Sequence, residues 1–340
     1  MAGEQNSSRR GRPPREAVYE RLDTQIEELW QRMGGLPNPL EAADIWRGIW
    51  FEEAHHSTAI EGNTLVARQV EALLAEGKAV GAKELREYME VRGYANAAQW
   101  VYDQAIQHGG WATEDTISLA EVRRVHEMAM SLVWDVAPHP DATPREGPGS
   151  FREHEIEPFT RGMRPPTWPL VPSEVSHWID SVNELEARVP DFPERLAALH
   201  CHFEQTHPFL DGNGRVGRLL MNLILVRLGY PPAIIYKRQR SHYIRALQRA
   251  DNGDLGALGE LIARAILDNL YKFIVPAIAG PARLVPLAAL ADNRINAEAL
   301  RLAALRGRLQ ATRGVDGQWR SSRNWVEEYL ASRWRRESTS

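Results

Sequence analysis

Twelve consecutive residues, from His207 to Arg218, combine an imidazole, a carboxylate, two glycines on either side of an amide, and two guanidinium groups. Apolar residues then recur at a spacing of three and four from Leu219 to Leu228, which predicts a core helix. The glycines therefore lie in a loop that opens a helix, where unpaired backbone N–H groups and the positive end of the helix dipole favour an anion. Arg215 and Arg218 are three residues apart and share one face of this helix. We interpret the segment as a phosphate-binding site.

The charges of this segment indicate separate roles. The carboxylate of Asp211 would repel a phosphate unless a divalent cation lay between the two. Mg²⁺ is the candidate, because it typically binds one or two carboxylates together with substrate phosphates. His207 is the candidate general base, because imidazole titrates near neutral pH. One alternative is an ordinary turn, since Asp-Gly-Asn-Gly is common turn chemistry. A calcium loop is another, but it would need further acidic ligands that the segment lacks.

The order His-x-Phe-x-Asp-Gly-Asn-Gly-Arg-x-x-Arg resembles the signature of the Fic-domain family at every defining position. The resemblance implies an all-α fold, the Fic fold with a short β-hairpin flap, and an enzyme that transfers AMP from ATP to a hydroxyl side chain of a protein. In such an enzyme His207 would deprotonate the Ser, Thr or Tyr hydroxyl, and Asp211 would hold Mg²⁺ against the phosphates. The remaining residues implied in binding the nucleotide phosphates are Gly212, Asn213 and Gly214 in an anion hole, Arg215 on the α- and β-phosphates, and Arg218 on the γ-phosphate.

A second motif lies far upstream, where Ser57 and Glu61-Gly62 follow a stretch with the apolar pattern of an amphipathic helix. Gly62 is the predicted C-terminal stop of that helix. Glu61 is therefore left at the negative end of the helix dipole, which costs a carboxylate up to about 1 kcal/mol. A nearby cation would relieve this cost, and the alternative is a surface glutamate screened by water.

These residues resemble the Ser/Thr-x-x-x-Glu-Gly/Asn motif of class II-like Fic proteins, which carry an N-terminal inhibitory helix. The resemblance implies that Glu61 pairs with Arg218 and keeps the γ-phosphate away, so that the enzyme is inactive by default. It implies Ser57, Glu61 and Gly62 as the inhibitory residues. In some relatives the same glutamate also supports the removal of AMP, which leaves de-AMPylation open here.

Two further assignments rest on the same resemblance. Residues 149–158, ahead of the proline-rich 165–172 segment, resemble the flap, a β-hairpin that pins a target segment by strand addition; the alternative is an ordinary surface loop. Tyr243, near the start of a helix predicted over 240–251, is the candidate aromatic residue that lines the nucleotide site in the family. The alternative for this residue is a core tyrosine with a bonded hydroxyl.

Composition indicates a soluble globular protein, with 43% hydrophobic and 25% charged residues among 340. Cys201 is the single cysteine, so the chain cannot form an internal disulfide. No apolar run approaches the length of a membrane span, and the polar N-terminus lacks the apolar stretch of a signal peptide. We therefore expect a cytoplasmic protein without a membrane partner. The oligomeric state stays open, with a homodimer among the alternatives.

The pattern of helices and breaks predicts four parts of the chain. They are a disordered basic tail over 1–16, an N-terminal helical region with the inhibitory helix over 17–115, a Fic catalytic core over 116–279, and a small C-terminal module over 280–340. The last part carries eleven arginines against six acidic residues between 281 and 340. A basic tail and a basic module thus flank a more acidic core.

The C-terminal module resembles an excisionase-type winged helix-turn-helix. A short helix from Leu287 to Ala291, a second one capped by Asn296, a small hairpin and a last helix predict this arrangement. Such a module would bind DNA phosphates and base edges. The arginines expected to do so are Arg301, Arg306, Arg308, Arg313 and Arg320. A helical cap with a solvated basic face is the alternative, and Arg9–Pro13 resembles a minor-groove hook or a plain flexible tail.

Two functions of different class follow. The favoured one is an autoinhibited, Mg²⁺-dependent AMP-transferase that uses ATP; transfer of UMP, phosphocholine or phosphate stays open, although the Gly214-Arg215 pair fits the nucleotidyl branch. The rival is a DNA-binding transcriptional regulator in which the Fic core senses nucleotide. The intact His207, Asp211 and Arg218 favour the enzyme, because sensing needs no base.

Overall fold

The computed structural model describes most of the chain, in residues 13–105, 115–157, 159, 162–280, 283–314 and 317–337, the side chains of 333–337 excepted. The predicted minor-groove hook and most of the predicted tail, residues 1–12, lie outside these residues. No helix among the described residues has the length and apolar character needed to cross a membrane.

Helices make up nearly all of the regular secondary structure of the described residues, which confirms the all-α prediction. They are α1 Arg15–Met33, α2 Ala43–Ile60, α3 Ala67–Glu76, α4 Leu85–Asp103, α5 Leu119–Val136, α6 Val171–Asn183, α7 Phe192–Thr206, α8 Asn213–Arg227, α9 Arg240–Asp251, α10 Gly256–Asn269, α11 Val275–Ile278, α12 Ala297–Leu305 and α13 Arg323–Glu337. A single π-helical stretch, Leu270–Ile274, joins α10 to α11.

Helix α8 is the centre of the fold. Every residue from Asn213 to Arg227 except Gly214 is buried, and α8 contacts α2, α4, α5 and α7. A helix that is apolar around most of its circumference must be enclosed in this way, since each fully buried leucine or isoleucine contributes about 1.5–3 kcal/mol. Because α8 is held from several sides, its N-terminal end is a rigid platform for the residues of the candidate site.

Helix α2 is fixed to this centre by a buried carboxylate at its middle. Glu53 is 2% exposed and accepts hydrogen bonds from the hydroxyls of Tyr94 (2.8 Å) and Tyr102 on α4. It also accepts one from the amide of Asn222 on α8, at 2.7 Å. Since a buried carboxyl must be hydrogen-bonded to be tolerated, these three contacts fix the position of α2 between α4 and α8.

The strands of the described structure form one small antiparallel sheet near the C-terminus. Strand β3 (Trp319–Ser321) lies between β1 (Val285–Pro286) and β2 (Thr312–Arg313). The side chain of Asn296 caps α12 by accepting from the N–H of Ala299 at 2.8 Å, as its position in the sequence predicts. The elements of the C-terminal module therefore lie close to where they were predicted.

The flap was predicted as a β-hairpin, but the described residues of 149–167 pair no strands with each other. The described residues of this segment form an extended loop. Its carbonyl groups at His154 and Pro166 accept hydrogen bonds from the guanidinium of Arg152, at 3.1 and 2.6 Å, instead of from a facing strand. The prolines of this stretch lack the N–H that a ladder requires, which explains the difference. The short hairpin of the fold lies in the C-terminal module.

Candidate active site

His207 ends α7 and presents a neutral imidazole. Its φ of 46° is left-handed, and its N–H donates to the carbonyl of Phe203 at 3.1 Å. Ring atom Nδ1 lies 3.1 Å from the carbonyl oxygen of Glu204, which can only accept, so Nδ1 carries the proton and Nε2 keeps its lone pair. Burial lowers the pKa of His207 to about 4. The ring is therefore neutral at neutral pH, with a free lone pair on Nε2.

The loop after His207 ends at the N-terminus of α8, where Gly212 has a φ of 83°. A Cβ on Gly212 would lie 2.7 Å from Sδ of Met130, so only glycine fits. The side chain of Asn213 bonds both the N–H (2.8 Å) and the carbonyl (2.7 Å) of Phe209 and thereby closes the loop. The anion-binding capacity of this turn therefore belongs to main-chain N–H groups at the start of α8, and the Asn213 amide positions them.

The predicted pair between Glu61 and Arg218 is present. Nη2 of Arg218 donates to Oε1 of Glu61 at 2.7 Å and to the carbonyl of Ser57 at 3.1 Å, and Nε donates to Oγ of Ser57 at 2.7 Å. Oε1 of Glu61 also lies only 2.6 Å from where a Cβ on Gly214 would stand. The carboxylate thus lies over the first turn of α8, in the position that suits an anion.

Charge compensation explains how Glu61 is tolerated there. Helix α2 ends at Ile60, and Gly62 has a φ of 110°, as predicted for the helix stop. Burial opposes ionisation of Glu61, but the nearby guanidinium of Arg218 outweighs it and keeps the pKa of this carboxyl below its usual value. Nε of Arg240 donates to the carbonyl of Ile60 at 2.6 Å, which satisfies one of the free carbonyls at the helix end.

Asp211 lies at the outer side of the loop and is bound by two arginines. Its Oδ1 accepts from Arg215 at 2.9 Å and its Oδ2 accepts from Arg86 at 3.3 Å. Glu90 holds the same two arginines from α4, with Arg86 at 3.2 Å and Arg215 at 3.5 Å. Burial opposes ionisation of Asp211, but Arg215 outweighs it and its pKa stays below the usual range. Neither Arg86 nor Glu90 was predicted from the sequence.

The donor set decides what kind of metal Asp211 could hold. No group of three His, Cys, Asp or Glu side chains within the described residues could form a metal centre by itself. Mg²⁺ needs only one or two carboxylates when phosphates and waters supply the other ligands. A single partly exposed carboxylate beside a phosphate-binding turn fits this mode of binding, whereas a metal held by protein ligands alone does not fit.

Two residues that were not predicted as site residues hold the loop from below. The N–H of Gly149 donates to Nδ1 of His126 at 2.7 Å, so the proton of this ring is on Nε2, which donates to the carbonyl of Asp211 at 3.1 Å. The ring stacks on Phe209 at 3.7 Å. Arg152, 1% exposed, donates from Nε to the carbonyl of His207 at 2.9 Å. Contacts with main-chain carbonyls leave no residue pattern, so these two residues could not be recognised from the sequence.

Tyr243 lies in the core behind Arg218. It is 1% exposed, its hydroxyl is 2.7 Å from Nε2 of His200, and the guanidinium carbon of Arg218 is 5.9 Å from its ring centroid. This position matches the alternative of a core tyrosine with a bonded hydroxyl. In this conformation the ring contacts Arg218, and its contact with a nucleotide stays a prediction.

Some arginines of the C-terminal module bind other residues of the chain, and others are exposed. Arg320 forms an ion pair with Glu28 of α1 at 2.7 Å and is 13% exposed at its side chain, so it holds the module to the helical body. Arg301 pairs with Glu298 at 2.6 Å, and Nε of Arg313 donates to the carbonyl of Gly317 at 3.0 Å. Arg306 and Arg308 are exposed. In this structure the side chain of Arg320 is used internally, and its contact with DNA stays a prediction.

Comparison with known proteins shows what this site is similar to. Residues 116–225 match the model of the Fic/DOC family. The chain is 34% identical over 218 residues to Protein adenylyltransferase Fic of Drosophila grimshawi and 33% identical over 218 residues to that of Drosophila virilis. These alignments cover 63% of this chain and 41% and 40% of the relatives, so the chain spans less than half of their length.

Solved structures show the same similarity to Fic proteins. A fragment of Fic-1 from C. elegans superposes with a TM-score of 0.57 at 27% identity, over 74% of this chain and 70% of that one. A Fic family protein from Desulfovibrio desulfuricans G20 has a TM-score of 0.55 at 21% identity and covers 92% of this chain and 97% of its own, which supports the fold alone. Residues 116–225 therefore match a model of the Fic/DOC family, and the fold resembles that of solved Fic proteins.

Proposed function

We propose that this protein is an autoinhibited protein adenylyltransferase, which transfers AMP from ATP to a Ser, Thr or Tyr hydroxyl of a target protein and releases pyrophosphate. One observation carries the proposal: the Glu61 carboxylate lies over the N-terminal turn of α8 and is bound by Arg218 at 2.7 Å. An anion of the protein thus takes the position in which the phosphates of a nucleotide would be stabilised. The names of the Drosophila relatives point to the same reaction.

The geometry supports a distinct task for each residue of the motif. Nε2 of His207 takes the proton of the attacking hydroxyl, because Nδ1 is held by the carbonyl of Glu204. The N–H groups at the start of α8 and Arg215 stabilise the α- and β-phosphates, and Arg218 stabilises the γ-phosphate once Glu61 has left. When bound through Asp211, Mg²⁺ supplies charge neutralisation between the phosphate oxygens.

Inhibition follows from competition for one guanidinium. Arg218 cannot bind the γ-phosphate while its Nη2 is bound to Glu61 and Ser57. ATP then binds without the contact that orients its α-phosphate for attack, and the lost orientation lowers the rate. Removal of AMP by a water that Glu61 positions is a finer proposal for the same site.

The test is the gain of one AMP on the intact protein, measured by mass spectrometry after incubation with ATP and Mg²⁺. We expect little gain in the wild type, a clear gain in Glu61→Gly and none in Glu61→Gly combined with His207→Ala. Incubation with UTP, CTP and GTP in parallel identifies the nucleotide. Equal labelling of all three proteins would contradict the proposal.

For the C-terminal module we propose DNA binding as the second candidate function. The support is the capped helix α12 followed by the β2–β3 hairpin, with Arg306 and Arg308 exposed between them. A salt-dependent mobility shift of duplex DNA that Arg306→Ala with Arg308→Ala removes would support it. If that shift occurs while Glu61→Gly incorporates no AMP, the chain is a regulator rather than a transferase.

A further inference from the structure

A second carboxylate, that of Glu204, is buried next to the candidate active site. Glu204 lies on α7, three residues before His207, and is 5% exposed. Its Oε1 has no hydrogen-bond partner among the described residues. This oxygen faces α8, where a Cβ on Gly217 would collide with it, so glycine is needed at that position. A buried carboxyl oxygen without a partner is costly and calls for an explanation.

Five ionisable groups from α7 and the surrounding elements lie around Glu204. One of them, the thiol of Cys201, is neutral because burial raises its pKa. His200 of α7 has its Nε2 3.8 Å from Oε1, and burial lowers the pKa of its ring to about 3, so it contributes no charge at neutral pH. Burial raises the pKa of Tyr243 of α9, which is therefore neutral as well.

Arg218 is the cation of the group and follows Gly217, against which Oε1 of Glu204 lies. Glu61, at the end of α2, is the other carboxylate, and its Oε1 lies together with Nη1 of Arg218 at Gly214, about one turn earlier on α8.

The two carboxylates are thus alternative counter-charges for one guanidinium. Burial raises the pKa of Glu204 to about 7; Arg218 opposes this shift and the charge of Glu61 adds to it. While Glu61 is bound to Arg218, the uncharged form of Glu204 is favoured. When Glu61 leaves, the repulsion disappears and the attraction of Arg218 remains.

Arg218 cannot be left without a counter-charge. It is 3% exposed, and the hydrogen bonds that its guanidinium makes to Ser57 and Glu61 all depend on the C-terminal turn of α2. Removing the partner of a buried charge is strongly destabilising. Since His200 and Tyr243 are neutral, Glu204 is the remaining acid among these groups.

We propose that Glu204 is a positioning residue, which keeps the Arg218 guanidinium in place for the γ-phosphate whenever Glu61 has withdrawn. This rests on the proposed function, because it assumes that Glu61 is displaced. It assigns no contact between Glu204 and the substrate; the residue acts through Arg218.

Thermal unfolding of the full chain at pH 8 tests this independently of activity. Four proteins are compared: wild type, Glu204→Gln, Glu61→Gly and the double variant. With Glu61 present, we expect Glu204→Gln to leave Tm unchanged or to raise it. In the Glu61→Gly background the same change should lower Tm by at least about 4 °C, since Arg218 then has neither counter-charge. The exposed Glu184→Gln is the matched control and should shift Tm equally in both backgrounds.

A second measurement separates positioning from packing. In the Glu61→Gly background we expect Glu204→Gln to weaken binding of ATP about tenfold by calorimetry while binding of AMP, which has no γ-phosphate, changes less than twofold. Glu204→Asp should restore part of the ATP affinity. If Glu204→Gln shifts Tm equally with and without Glu61, or weakens AMP and ATP alike, the inference is overturned. If Glu61→Gly is not labelled by ATP, the proposed transferase function is refuted. The Tm values and the binding of ATP and AMP would still decide the role of Glu204.

Discussion

Nε of Arg152 donates a hydrogen bond to the main-chain carbonyl of His207, the residue whose left-handed φ of 46° turns the chain into the catalytic loop. A left-handed conformation costs a residue with a side chain roughly 1–2 kcal/mol. The same guanidinium binds the carbonyls of His154 and Pro166, so one buried side chain joins the flap segment to the loop. The orientation of His207 therefore depends on a residue 55 positions away in the sequence.

Arg152→Lys should lower the rate of self-labelling in the Glu61→Gly background by about tenfold or more, because an ammonium cannot reach all three carbonyls and His207 loses its orientation. Rates at saturating ATP check this. We also expect unfolding to become easier by roughly 3 kcal/mol, as buried hydrogen bonds to a charged donor are lost. Arg145→Lys, at a side chain that is 81% exposed, is the control. An unchanged rate in Arg152→Lys would show that the loop does not need this contact.

Ser57→Ala should release inhibition in part. Oγ of Ser57 accepts from Nε of Arg218 at 2.7 Å, and a buried hydrogen bond to a charged group contributes about 1.5–3 kcal/mol. Losing it weakens the hold of α2 on Arg218, although Glu61 still binds Nη2. We expect labelling about tenfold above the wild type and below that of Glu61→Gly, with Ser131→Ala, at a half-buried serine of α5, unchanged. Labelling of Ser57→Ala no greater than that of Ser131→Ala would contradict this.

The rate of labelling should not fall near pH 6.5, where an ordinary histidine becomes protonated. Burial lowers the folded pKa of His207 to about 4, below the ordinary value near 6.5, so the ring stays neutral well into the acid range. We expect the rate of Glu61→Gly at saturating ATP to be nearly constant from pH 8 to pH 5 and to fall as pH drops through about 4. The contribution of this shifted pKa to the stability of the fold is complete above pH 6.5 and declines below it. A rate that already halves near pH 6.5 would mean that the ring is solvated.

Glu204 should make the wild type less stable in alkaline solution. Its folded pKa of about 7 lies above the ordinary value of 4.5, so the protonated form is favoured by folding and this stability is lost as pH rises through about 7. The shift corresponds to roughly 3 kcal/mol. Denaturant unfolding at pH 5 and pH 8 checks this, because Glu204→Gln should be the more stable protein at pH 8 and should gain little at pH 5. An equal difference at both pH values would contradict the shifted pKa.

Chelation and Asp211→Asn should both abolish labelling in the Glu61→Gly background. EDTA removes the cation, and the amide of Asn has half the acceptor capacity and no charge with which to bind it. Titration of Mn²⁺ in the presence of ATP, followed by its paramagnetic signal, should show binding at least about tenfold weaker in Asp211→Asn. Glu157→Gln, at an exposed acid, is the control for nonspecific binding. Full labelling in EDTA would exclude a metal requirement.

Much of the fold and site could be predicted because the signals are local. The apolar spacing after the glycine turn is that of a helix enclosed on most sides, and α8 is such a helix. The break at Gly62 requires only a glycine at a helix end, and its φ is positive. The contact between Glu61 and Arg218 spans 157 positions and could be predicted only through the family motif.

What the sequence could not reveal depends on distant main-chain atoms. His126 and Arg152 bind carbonyls of the loop, and any donor of the right length in the right place would serve, so no residue pattern marks them. Glu204 lies three positions before His207, yet its significance comes from the absence of a side chain at Gly217. The flap was predicted as a hairpin from its resemblance, whereas the bonding of its carbonyls to Arg152 is a tertiary effect.

The buried Glu53 limits how the inhibitory segment can leave. Three hydrogen bonds to Glu53 hold the centre of α2 against α4 and α8. Only the last two turns of α2 lie between Glu53 and Glu61. Moving the whole helix would leave the buried carboxylate of Glu53 without its partners, which is costly. Under the proposed inhibition, we therefore expect activation to unwind only the final turn of α2 next to Gly62. A small ligand or a single docking contact at that end would then be enough to activate the enzyme.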